Sequence, residues 1–178
     1  MGEDFVPFAG PVYFALLACL VSARSMDFLS TWIATPNLVL EANPLAKKMG
    51  WRVGLVVNAV LCGFFALWPL PSIVIITTSL LVAARNFQSA WLMRSLGEQE
   101  YRLWMGERLA QAPRPLFLFC LFAQSSLIGI VGSGLAWFAH ELVPFGVGMG
   151  MVTYAFAILV YSLISVWRTR VRRSRQEF

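Results

Sequence analysis

The sequence predicts an all-α polytopic membrane bundle, a single domain over residues 1–178. It has five transmembrane helices, an N-terminus outside and a C-terminus in the cytoplasm. Three observations carry this reading. Of 178 residues, 58% are hydrophobic and only 13% charged, about half the charge of an ordinary soluble domain. Five apolar runs are each long enough to cross about 30 Å of hydrocarbon at 1.5 Å per residue. Twelve of the 14 Lys and Arg fall in only three of the segments that flank those runs.

The first run covers residues 11–34. Pro11 suits a first helical turn, and Thr35-Pro36 stops the helix. The second covers 50–68 and ends at Pro69; the third begins at Pro71 and reaches 94. The segment 98–111 is polar, yet Tyr101, Trp104, Met105 and Leu109 recur at helical spacing and Glu98 precedes Arg102 by four. It reads as a helix lying on the membrane interface. The fourth span covers 115–138 and the fifth 145–167. Between spans one and two stand Lys47, Lys48 and Arg52; between three and four, Arg94, Arg102, Arg108 and Arg114. Arg168, Arg170, Arg172, Arg173 and Arg175 form the tail. The positive-inside rule places all three segments in the cytoplasm, and the expected location is the cytoplasmic (inner) membrane. Trp68 and Trp137 then mark outer helix ends, and Trp51, Trp91 and Trp167 inner ones. The basic tail is a partner for anionic lipid head groups.

Other classes are excluded by what the chain lacks. Its net charge of +5 flanks apolar runs and comes with no nucleic-acid-binding motif, so nucleic acid is not an expected partner. Cys19, Cys62 and Cys120 each sit inside an apolar run with no CxxC pair, as small packing residues do. Residues 1–10 carry Glu3 and Asp4 and no Lys or Arg, which argues against a cleaved signal peptide or a lipoprotein anchor. No Walker loop, HExxH or GxSxG occurs. The single histidine, His140, stands beside Glu141 in an outer turn, against the three or four ligands a metal site needs. No metal and no cofactor is expected.

The polar residues inside the spans gather at one depth. Asn58 is eight residues past Gly50, about 12 Å from the inner boundary. Arg85 and Gln124 are nine residues from their inner ends, and Asp27 eight. With Arg24, Thr31, Asn86 and Gln88 they form a layer reaching from mid-membrane to the cytoplasm, while the outer halves are almost wholly apolar. Ionisable groups at such depth cost several kcal/mol unless paired or hydrated. The competing role for the polar groups is interhelical glue. Arg24 and Arg85 read as ligand-facing cations, Asp27 and Glu41 as counter-ions or proton carriers, and Asn58, Asn86 and Gln124 as hydrogen-bonding groups. Asp27 is the expected anion for Arg85, with Arg24 competing.

The segment 37–44 (NLVLEANP) is apolar except for Asn37, Glu41 and Asn43. Folded back into the cytoplasmic mouth, it would turn Glu41 and Asn43 toward the polar layer; non-helical backbone is tolerated at depth only where it lines such a cavity. Asp27, Thr31 and then Glu41-x-Asn43-Pro44 resemble the pattern of a family of small, uncharacterised prokaryotic multi-pass membrane proteins. The likeness covers roughly residues 20–65 and implies a four- or five-helix membrane fold with no known activity. Ser30 stands where that family usually has a second Thr.

The functional expectation is a cytoplasm-open intramembrane pocket that binds or transports a small polar or anionic ligand. The alternatives are an accessory or assembly subunit of a membrane complex, homo-oligomers included, and an intramembrane enzyme acting on a lipid head group with Asp27 or Glu41 as general base.

Overall fold

The computed structural model describes residues 5–41 and 44–174. It is all-helical over these residues, with six helices: α1 (Pro11–Ala34), α2 (Pro44–Phe65), α3 (Pro69–Leu96), α4 (Glu98–Gln111), α5 (Arg114–Phe138) and α6 (Leu142–Ser174). Five of them, all but α4, are long and apolar enough to cross a membrane. The chain is an integral, multi-pass membrane protein.

Proline and glycine set most boundaries. Pro11, Pro69 and Pro115 stand in the first turns of α1, α3 and α5, where a missing N–H costs nothing. Gly97 (φ 83°) ends α3 and begins α4, a backbone conformation that side chains with a Cβ resist. Helix α2 departs from the expectation of a start at Gly50. A turn of helix already runs from Pro44, and Gly50 (φ 67°, ψ −177°) breaks the helix after it. The expected end of this span at Trp68 also moves: α2 stops at Phe65, and residues 65–68 form a tight turn into α3. Helix α6 runs to Ser174, so the helix continues past the end of the fifth span at 167 into the tail, as the sequence reading expects.

Helix α3 is the centre of the bundle. It packs on α1 along one side and on α6 along another, while α5 packs on α6 and α2 leans against α1. Tyr13 donates a hydrogen bond to the Gly63 carbonyl (3.2 Å) and Phe28 touches Gly54, so α1 and α2 run antiparallel. Thr77 meets Gly150 and Ile73 meets Gly146, so α3 and α6 run parallel. The basic residues from Lys47 to Arg114 consequently collect at one end of the bundle, hereafter the basic end.

In hydrocarbon, helices gain little from burying apolar surface against one another, so close packing and polar contacts hold them. Glycine permits that closeness. A Cβ at Gly148 would lie 2.5 Å from the Gly132 carbonyl oxygen across the α5–α6 seam, and one at Gly150 would lie 2.6 Å from Thr77 Cβ. An apolar cluster of Val6, Tyr13, Leu20, Cys62 and Ala66 fills the end opposite the basic one. The segment before α1 is tied to the α2–α3 turn there by a Val6 N–H bond to the Leu67 carbonyl (3.0 Å) and by Phe5 packed edge-on to Trp68.

Candidate functional site

The α1–α2–α3 junction is built around Arg24. Its Nε donates to Asn58 Oδ1 on α2 (2.8 Å), and Nη2 donates to the same oxygen. Its Nη1 donates to Asp27 Oδ2 on its own helix (2.7 Å) and to Ser79 Oγ on α3 (3.2 Å). One guanidinium thus ties three helices together, which suits a rigid planar fork with five donors. Asn58 is oriented in turn by its Nδ2 bond to the Gly54 carbonyl (2.8 Å). The Arg24–Asp27 pair is an i,i+3 ion pair with side chains 28% and 17% exposed. The expected Asp27–Arg85 pairing is therefore corrected. A carboxylate one helical turn away on the same face meets Arg24 before any residue of α3 can compete.

One turn toward the basic end, Asn86 Nδ2 on α3 bridges Ser30 Oγ (3.3 Å) and Thr31 Oγ1 (3.2 Å) of α1. Ser30 donates onward to the Asp27 carbonyl (2.8 Å) and is fully buried. Glu41 lies in the loop after α1 and is half-buried. Asn43 lies outside the described residues. Gln88 and Gln124 are exposed on α3 and α5 and make no part of this junction. The single polar layer of the sequence reading divides into the Arg24 junction and polar groups outside it.

Arg85 belongs to the second set. The phenol of Tyr154 on α6 lies beside it, and its Nη1 is buried with no hydrogen-bond partner among the described residues. The two intramembrane arginines differ in this. Arg24 is matched by a carboxylate, an amide and a hydroxyl. Arg85 has a phenol beside it and a donor left over.

The residue most clearly missed from sequence is Glu98, at the first position of α4. Its Oε2 accepts from Thr35 Oγ1 (2.6 Å) and from the Val39 N–H (2.9 Å). Its Oε1 accepts from the Asn37 N–H (2.8 Å) and from Asn37 Nδ2 (2.9 Å). Thr35 also accepts from the Leu40 N–H (3.1 Å). The loop 35–41 is thereby clamped onto the α3–α4 junction, and Trp51 Nε1 holds its other side at the Pro36 carbonyl (2.8 Å). Partial burial works against the Glu98 charge. The hydrogen bonds from Thr35, Asn37 and Val39 outweigh it and hold the carboxyl below the usual carboxylate range. The signal was present in the sequence: a carboxylate at a helix N-terminus, where the dipole favours it, and a loop rich in unpaired N–H groups. Beside the clamp a recess of about 390 Å³ opens, with Pro36, Asn37, Val39, Arg94 and Gln99 in its lining.

Tyr101 is buried at the start of α4, whereas Leu103, Trp104 and Met105 are exposed. Arg108 lies over the Trp104 ring, 5.9 Å from its centroid. Among the described residues no group of three or more His, Cys, Asp or Glu is placed to hold a metal ion. Compared with protein-family models, curated proteins and solved structures, the chain matches none.

Proposed function

We propose that the chain is a binding or transport protein of the cytoplasmic membrane, and that its basic end faces the cytoplasm. In this reading a small polar or anionic ligand enters from that end and reaches Arg85. The observation that carries it is the contrast between the two arginines. An arginine in hydrocarbon cannot escape its charge by losing a proton, so it needs an anion. Arg24 has one within its own helix; Arg85 is met by a phenol and keeps a buried N–H in hand. The Arg24 junction supports the glue role instead, because its donors and acceptors answer one another across α1, α2 and α3.

The test is thermal melting of the purified protein in detergent against a panel of small anions. The wild type is expected to gain stability with at least one of them. Arg85→Gln is expected to melt near the wild-type temperature and to lose that gain. A wild-type melting temperature indifferent to every anion in the panel would remove the ligand reading.

The orientation rests on the clustering of Lys47, Lys48, Arg52, Arg94, Arg102, Arg108 and Arg114 at one end. On this reading α4 lies along the inner interface with Leu103, Trp104 and Met105 toward lipid, and the arginines after residue 167 bind anionic head groups. In a cysteine-free background, a cysteine at His140 should react with an impermeant maleimide in intact cells. Cysteines at Lys48 and Gln99 should react only after lysis. Labelling of Gln99 in intact cells would invert the topology. We also propose membership of the small prokaryotic membrane-protein family whose pattern Asp27, Thr31, Glu41, Asn43 and Pro44 resemble.

A further inference from the structure

The α3–α6 seam is tightest toward the end away from the basic residues, where Gly146 meets Ile73 and Gly150 meets Thr77. The two helices run parallel, so the same register carried onward sets Arg85 beside Ile158 and Gln88 beside Tyr161. Arg85 and Gln88 are three residues apart and share a face of α3; Tyr154 and Tyr161 are seven apart and share a stripe of α6. At the Arg85–Tyr154 level the seam is still partly closed: Tyr154 is buried and Arg85 half-buried. One to two turns on, Gln88 is exposed and Tyr161 is 44% exposed. From the Arg85–Tyr154 level toward the basic end, a polar stripe on each helix thus becomes more exposed.

We infer that these stripes form an anion site for a monocarboxylate, with Arg85 as its cation and Tyr154, Gln88 and Tyr161 as neutral hydrogen-bonding groups beside it. The inference rests on the ligand reading above and names its chemistry. One guanidinium supplies one positive charge and a fork that matches the two oxygens of a carboxylate. The neighbouring groups add hydrogen bonding and no second cation, so phosphate, a mixture of monoanion and dianion at neutral pH, would bring in its dianionic form a charge that nothing there balances. Arg85 Nη1, buried and without a partner among the described residues, is the donor such a ligand would take up on displacing the side chains that cover it.

The experiment measures thermal stabilisation and apparent affinity for sodium butyrate and for inorganic phosphate at matched ionic strength, on the full chain in detergent. Butyrate is expected to raise the wild-type melting temperature and phosphate to leave it unchanged. Arg85→Gln should weaken butyrate at least about tenfold, the loss of one charge-assisted bond. Arg85→Lys, which keeps the charge without the fork, should fall between. Tyr154→Phe should weaken butyrate severalfold with the protein's own melting temperature little changed. Stabilisation by phosphate through Arg85, without butyrate, would overturn the carboxylate assignment and leave the ligand reading standing. Butyrate binding that survives Arg85→Gln would overturn the site. No response to either anion would overturn the carboxylate site, and the wider anion panel would then decide the ligand reading.

Discussion

Asp27→Asn is expected to lower the stability of the protein by about 3 kcal/mol, the scale for leaving one member of a largely buried ion pair without its counter-charge. Asn58 and Ser79 still accept from Arg24 in that variant, but neither carries charge. The guanidinium then stands as an uncompensated cation among three helices. The double variant Arg24→Gln with Asp27→Asn should recover about half of that loss or more, because it removes the charge that the single change strands. Melts of both singles and the double in one detergent give the coupling energy, expected above about 1 kcal/mol. The same cycle run with Arg85→Gln and Asp27→Asn should be additive. Coupling in the second cycle and additivity in the first would restore the Asp27–Arg85 pairing that the Arg24 geometry displaces.

Glu98→Ala is expected to have the second-largest effect, about 2 kcal/mol, because it strands the buried Thr35 hydroxyl and the N–H groups of Asn37 and Val39 together. The loss should be local. Amide exchange in residues 35–41 should rise by one to two orders of magnitude, while amides in the middle of α3 keep their protection. The clamp also has a pH dependence of defined sign. Docking holds the Glu98 carboxyl below its ordinary value, so its stabilisation is fully present above the usual carboxylate range. It disappears as pH falls through the depressed value. Exchange in the loop should therefore be flat from neutral pH down to the ordinary carboxylate range and accelerate only below it, after correction for the intrinsic pH dependence of exchange. Glu98→Gln should show the fast-exchanging loop at every pH. A loop equally protected in Glu98→Gln would mean that Trp51 and Pro36 hold it without the carboxylate.

Membrane helices announce themselves because lipid enforces length and composition together, and so the five spans were legible from the apolar runs. The start of α4 was legible because Glu98–Gln111 carries both charge and helical spacing. The break at Gly50 was not, since an isolated glycine within a helical pattern is compatible with helix and with a stop alike. At the site, sequence gave the depth of each polar residue but not its azimuth relative to neighbouring helices. Depth alone put Asp27 level with Arg85; azimuth decides that Arg24 takes the carboxylate and that Arg85 turns to α6. For the same reason Gln124, at the right depth, sits exposed on α5 and away from the junction. The helix N-terminal place of Glu98 is visible in the sequence, but its four donors come from some sixty residues earlier in the chain, and no local pattern says which groups it meets.

The backbone break at Gly50 sets a limit on the bilayer beside this protein. Unbroken helix in α2 runs only from Trp51 to Phe65, which at 1.5 Å per residue is about 22 Å. A hydrocarbon core is about 30 Å thick, so a deficit of roughly 8 Å remains. The turn before Gly50 is kinked away from the span and carries Lys47 and Lys48, so drawing it into the hydrocarbon would bury two cations. Lys47 and Lys48 are exposed on that turn, with stems long enough to reach the head groups. Hydrophobic mismatch of this kind costs fractions of a kcal/mol per ångström, and α2 leans on the bundle by one side only. A thinner bilayer would remove that deficit, and the protein should be most stable in bilayers of short-chain lipid.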